Sequence, residues 1–190
     1  MSLIDYLKQV PDYRTQPRYP LWVILLLVIM GTMSNCLGYR ALGDFAERHQ
    51  KVLLELLELS HERLPSYSTI RRAMVRIDFL QLTEAFNTWT TEELSVFPQE
   101  QIAVDGKSIK ASVKDYDKSY QDFVSVVSAF SVKQGVAVRV QPMHNGNESE
   151  IVVVQNLLEA LNLKGVCFSF DALHAQKKPS SKSLKVAMTT

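Results

Sequence analysis

Gln101-Ile102-Ala103-Val104-Asp105-Gly106 is the stretch on which the fold turns: a short apolar run ending in an acid and a glycine. Ile102, Ala103 and Val104 suit a buried strand, and a carboxylate at the end of such a strand is held rigidly at the rim of a sheet. Asp-Gly is also a common turn, so Asp105 by itself leaves both readings open. The pattern returns downstream, where Val166-Cys167-Phe168-Ser169-Phe170 is followed by Asp171. Between the two, residues 122–132 are β-rich and residues 135–141 alternate through Val136, Val138 and Val140, with Lys133-Gln134-Gly135 as a hairpin turn. Residues 148–163 place Ile151, Val154, Leu157, Leu158 and Leu161 on one helical stripe, with Gly165 as the expected terminator. The order is β-β-β-α-β, and the first and last strands are each expected to finish on an aspartate.

If the fourth strand lies beside the first, Asp105 and Asp171 face each other across one strand spacing. Two carboxylates that close repel unless a cation lies between them. Mg²⁺ prefers such oxygen ligands and keeps positions open for water and phosphate. A pair of these ions activates the attacking oxygen and stabilises the leaving oxygen of a phosphodiester. Asp105 and Asp171 are therefore the candidate catalytic and metal-binding residues.

Upstream the texture is helical. Leu21 to Met30 is an apolar run too short for the ~20 residues of a membrane span, and it lacks a signal-peptide pattern, so it reads as a helix buried on all sides, ended or kinked by Gly31 or Gly38. Ser2 is a candidate cap of a first short helix. Pro11, Pro17 and Pro20 mark an extended connector. Leu42, Phe45, Ala46 and His49, then Leu53, Leu56 and Leu57, recur at helical spacing. Ser66 or Ser68 is the expected cap of a helix with Ile70, Met74 and Ile77 on one side and Arg71, Arg72 and Arg76 on another. That basic face is either a solvated helix surface or a phosphate contact of the helix-turn-helix kind. Leu80, Leu82, Phe86 and Trp89 suggest one more helix, and Pro98 precedes the strands. Trp22 and Trp89 read as core residues. Cys36 and Cys167 read as buried free thiols of a reducing compartment. A net charge of +1 does not announce a nucleic-acid binder, so any DNA contact has to come from local basic patches. Lys107 and Lys110, close behind Asp105, and His174, one turn after Asp171, are candidate phosphate contacts or plain surface charges.

Several segments carry a family resemblance. Ala103-Val104-Asp105-Gly106-Lys107-Ser108-Ile109-Lys110, Val127-Ser128-Ala129-Phe130, Asn147-Glu148-Ser149-Glu150-Ile151 and Phe170-Asp171-Ala172-Leu173-His174-Ala175-Gln176 resemble the signature blocks of the H-repeat-associated DDE transposases of bacterial insertion sequences. Pro11-Asp12-Tyr13-Arg14, Tyr19-Pro20-Leu21 and Pro65-Ser66-Tyr67-Ser68-Thr69-Ile70-Arg71-Arg72 are similar to that family's N-terminal region. The resemblance implies an α/β (α+β) chain with a helical DNA-binding or assembly region over 1–98 and a partial RNase H-like catalytic domain over 99–178. It implies Mg²⁺ (or Mn²⁺) held by Asp105 and Asp171, DNA cleavage and strand transfer, element ends and target DNA as partners, a homodimer, and a cytoplasmic, nucleoid-associated protein with no membrane. The family's third acid is a glutamate beyond the second aspartate, and no acid follows Asp171 here. Residues 179–190 do not resemble the family. Codons chosen for Lys177 to Thr189, with one base added after the lysine codons, encode an amphipathic segment similar to the family's next stretch. The expectation is a truncated or frameshifted copy, inactive alone or acting as a DNA-binding or assembly inhibitor.

Overall fold

Apolar periodicity turns into three buried clusters, two in the helical first unit and one in the second. The structure is a computed structural model that describes residues 1–108, 124–144 and 150–170. Two compact units divide the chain, Met1–Ala85 and Phe86–Thr190. In chain order the elements are α1 (Leu3–Leu7), α2 (Leu21–Met33), α3 (Tyr39–Arg48), α4 (Gln50–Leu56), α5 (Tyr67–Met74), α6 (Phe79–Glu93), β1 (Gln101–Ser108), β2 (Val124–Ser131), β3 (Val136–His144), α7 (Glu150–Leu161) and β4 (Cys167–Phe170). The molecule is thus a mixed α+β protein with a four-stranded sheet, as the pattern of elements requires.

The first unit forms around α2. Leu21, Val23, Ile24, Leu25, Leu26 and Leu27 are all buried, because neighbouring helices cover every side of that stretch, while Val28 to Met30 are partly exposed. No helix among the described residues is long and apolar enough to cross a membrane. Neither expected glycine ends α2. Asn35 does, with φ 61°: its N–H donates to the Thr32 carbonyl at 3.0 Å, and the Cys36 N–H reaches back to the Gly31 carbonyl at 2.8 Å. This pair of reversed bonds is the usual glycine stop, and asparagine serves because its short polar side chain tolerates the left-handed region. Gly31 instead lies inside α2, where an added Cβ would come within 2.5 Å of a Leu42 methyl on α3. At α1, Ser2 and Asp5 form a capping box, with the Ser2 N–H donating to the Asp5 carboxylate at 2.8 Å.

The second unit holds the sheet, in order β3-β2-β1-β4. β1 and β2 pair antiparallel, as do β2 and β3, and β4 lies parallel to β1. The hairpin falls where expected: Gly135, at φ 69°, donates its N–H to the Ser131 carbonyl at 2.9 Å. Ile102, Val104, Val127, Ala129, Val138 and Phe168 form the core with Val153, Val154 and Leu157 of α7. α7 ends at Leu161 on Asn162 (φ 44°), not on Gly165, which sits in the following loop at φ 72°. Asn87 guards the free edge of β3. Its side-chain amide donates to the Val140 carbonyl at 2.9 Å, and its oxygen accepts the Val140 N–H at 2.9 Å, which blunts a strand edge otherwise open to pairing. Cys36 and Cys167 are free but half-buried, more exposed than their apolar neighbours in sequence suggest. Trp22 packs partly buried against the first core; Trp89 is half-buried, its ring 5.7 Å from that of Phe86.

Candidate functional site

The alternation of β1 decides which way Asp105 points. Ile102 and Val104 are buried in the core, whereas Asp105 and Lys107 are exposed. A strand turns successive side chains to opposite faces, so Asp105 and Lys107 share the face away from that core. Asp105 is not the strand's last residue, as the apolar run suggests. β1 continues through Gly106 and Lys107 to Ser108 because β2 keeps pairing with it, Asp105 opposite Ser128 and Gly106 opposite Val127. The Asp-Gly step is therefore extended strand and not a turn. Ser128 donates its hydroxyl to the Asp105 main-chain carbonyl at 3.5 Å, a long contact. The Asp105 carboxylate has no hydrogen-bond or ion-pair partner among the described residues.

On the other side of β1, β4 runs parallel in the register Ile102 to Phe168, Ala103 to Ser169 and Val104 to Phe170. In the sequence Asp105 follows Val104 and Asp171 follows Phe170. Asp171, Lys110 and His174 lie outside the described residues, so only Asp105 and Lys107 of this group are located. Among the described residues no three His, Cys, Asp or Glu side chains gather in a metal-binding arrangement.

The second candidate lies wholly within the first unit. Arg71 and Arg72 are exposed on α5, and Arg76 is exposed two residues beyond its end, while Ile70 and Ala73 bury the opposite face. Ser66 takes the cap position of α5, but its hydroxyl pairs with the hydroxyls of Ser68 at 3.1 Å and Thr69 at 3.3 Å instead of a backbone N–H. The three arginines open onto a cleft of about 840 Å³ that Arg14, Arg18 and Arg63 also line. Among the described residues no Asp or Glu lines it.

Local chemistry builds this cleft from three segments. The connector after Pro11 is fastened to α5 by Tyr13, whose hydroxyl lies 2.8 Å from the Ala73 carbonyl and 3.2 Å from that of Arg72. Arg14 braces the connector from inside, forking onto Asp12 at 2.8 and 2.7 Å and donating to the Tyr19 carbonyl at 2.8 Å. That guanidinium, donating to its side chain, holds the Asp12 carboxyl below its usual range. His61 brings in the third segment: its Nε2 lies 2.6 Å from the Arg18 carbonyl, which can only accept, so this nitrogen carries the proton. Its ring packs on Tyr19 at 4.8 Å. Arg14 is thus consumed by structure, and Arg72 makes a long contact with the Thr69 hydroxyl at 3.5 Å. Arg63, Arg71 and Arg76 have no ion pair or hydrogen bond among the described residues, and Arg18 only overlies the Tyr19 ring at 5.5 Å.

A family model described as DDE_Tnp_1-associated matches residues 4–90. The H repeat-associated putative transposase YbfD of Escherichia coli K12 is 30% identical over 187 residues, which cover 97% of this chain and 72% of that protein. The chain belongs to the H repeat-associated transposase family. YhhI, another H repeat-associated putative transposase of the same strain, is 30% identical over 97% of this chain but 48% of its own length. The putative transposase YncI of Escherichia coli O157:H7 is 30% identical over 95% of this chain and 46% of its own. The chain therefore spans about half the length of several curated relatives.

Within this family member the matched stretch 4–90 contains every residue of the arginine cleft. Arg71, Arg72 and Arg76 were legible as one helical face. Arg18 and Arg63 were not, because each is a single basic residue in an irregular segment. The available signal was proximity to proline and aromatic residues that fix a connector, and it does not say against which helix the connector folds.

Proposed function

We propose that this chain is a transposase-family protein for DNA cleavage and strand transfer, with Asp105 and Asp171 as ligands of Mg²⁺ or Mn²⁺ in an RNase H-like sheet. The carrying observation is the parallel pairing of β1 and β4 in the order β3-β2-β1-β4, in the register Val104 to Phe170 that stands one residue before each aspartate. The transposase names of the relatives support DNA as the substrate. The donor chemistry fits a hard divalent cation: Asp105 offers an exposed carboxylate, without a partner among the described residues, on a strand paired with β2 at that position. When bound, such an ion supplies charge for the attacking and leaving oxygens of a phosphodiester. The chain's own contribution is positioning. β1 holds Asp105 by its pairing with β2, Asp105 opposite Ser128, and Lys107, on the same face, offers a cation to a DNA phosphate.

Mn²⁺ binding to the 190-residue chain, followed by electron paramagnetic resonance, tests this reading beside metal-dependent nicking of a labelled element-end duplex. Asp105→Asn and Asp171→Asn are each expected to weaken Mn²⁺ binding by at least roughly tenfold, since even groups that only support metal ligands are worth that much. Unchanged Mn²⁺ affinity in both variants would refute the assignment. Binding of the duplex without any cutting would favour a non-catalytic role on DNA.

A further inference from the structure

We propose that the arginine cleft of the first unit clamps the phosphate backbone of duplex DNA without reading its bases. The inference rests on the transposase-family reading only for the choice of DNA as the polyanion; the cleft itself is independent of the carboxylate site. Six of the chain's nine arginines line this one cleft, although the net charge is only +1. The basicity is a matter of segregation: Asp44 and Glu47 line a neighbouring cavity, which shares Arg63 with the cleft. Every cation here is an arginine, whose planar fork suits phosphate oxygens. Arg63, Arg71 and Arg76 carry charge with no protein partner among the described residues, and the hydroxyls of Ser66 and Thr69 line the same wall. Such donors are the usual backbone contacts of DNA-binding proteins.

The geometry speaks against α5 as a groove-reading helix. α5 has eight residues, about 12 Å of axis at ~1.5 Å per residue. Its last turn is tied down by Tyr13 of the connector, and its arginines look into a cleft that the connector helps to wall. A helix that enters the major groove must project its side chains onto base edges. Here the arginines converge on a concave surface instead, which fits a charged ridge.

Fluorescence anisotropy with the whole chain in EDTA, on labelled element-end and scrambled duplexes, tests the clamp without metal at the carboxylates. Equal affinity for the two duplexes is expected. Each phosphate contact makes the slope of log affinity against log salt more negative by about 0.9. Arg71→Gln with Arg76→Gln, or Arg18→Gln with Arg63→Gln, should therefore make the slope shallower by about 1.8 and weaken binding about thirtyfold at ~0.15 M salt. Arg71→Lys with Arg76→Lys should keep the slope. Glutamine variants with unaltered slope and affinity would overturn the proposal. So would a hundredfold preference for the element end, tighter binding of single-stranded RNA than of duplex DNA, or no duplex binding at all. If duplex binding fails while Mn²⁺ still binds through Asp105, the clamp falls and the carboxylate reading stands.

Discussion

Gly43, in the middle of α3, is where the packing that supports the arginine cleft is most sensitive to one methyl group. A Cβ there would lie 2.7 Å from the Tyr67 Cβ, 3.0 Å from its nitrogen and 3.1 Å from its Cα. Tyr67 is the first residue of α5, so two of the three obstacles are main chain and cannot rotate aside. Alanine is favoured over glycine inside a helix by about 1 kcal/mol, and overpacking costs roughly 1–3 kcal/mol. With backbone in the way the upper half of that range applies, and Gly43→Ala should destabilise the first unit by about 1–2 kcal/mol net. Gly31 is the control. Its added methyl would meet the Leu42 Cδ2 at 2.5 Å, but the next contacts, to Phe45, are ordinary at 3.5 and 3.6 Å. A Leu42 rotamer shift costs about 0.5–1.5 kcal/mol, which the helix preference for alanine nearly offsets. Gly31→Ala should therefore be close to neutral. Urea unfolding followed by Trp22 fluorescence, with Trp89 replaced by Phe so that only the first unit reports, gives both midpoints at constant slope. A Gly43→Ala variant as stable as the parent, or a Gly31→Ala variant that loses more, would refute the reasoning. Because α5 must shift to admit the methyl group, Gly43→Ala should also weaken duplex binding through Arg71 and Arg72.

Two further predictions concern the second unit. Asn87→Ala leaves the Val140 N–H and carbonyl without their partner; because this edge is half-buried and water reaches it, the loss should be about 1–2 kcal/mol, read as a lower urea midpoint, and an unchanged midpoint would show the edge needs no cover. Glu100 is buried and accepts hydrogen bonds from the Ser131 hydroxyl and the Phe97 N–H, which hold its carboxyl below the ordinary 4.5. A lowered carboxyl stabilises the fold above its unfolded value and loses that contribution as pH falls through the folded one. The stability gap between the parent and Glu100→Gln should therefore be largest near neutral pH and close below about pH 4.5. A gap constant across thermal melts from neutral to about pH 3 would contradict this.

Asp105 shows how far a local pattern reaches. The run Ile102 to Val104 was legible as a buried strand, and it is one. That the strand continues to Ser108 was not legible, because the extension is held by pairing with β2, residues 125–128, some twenty positions away. The helix stops went the same way. Glycine is the strongest local terminator, so Gly31, Gly38 and Gly165 drew the expectation, yet Asn35 and Asn162 take the left-handed positions. Gly31 had another use, the close passage of Leu42, that only a neighbouring helix creates.

The sequence by itself determined the elements and their order, since helical and strand periodicities are properties of consecutive residues, and it determined the family through motifs written along the chain. It marked Asp105 and the arginines of α5 as candidates. Only the tertiary structure decided that β4 lies parallel to β1 in the register Val104 to Phe170. Only the tertiary structure brought Arg18, Arg63, Arg71 and Arg76 to one cleft. Both are contacts between segments remote in the chain. They are fixed by which apolar faces bury against each other and by single bonds such as Tyr13 to Ala73, and no local pattern encodes the choice of partner.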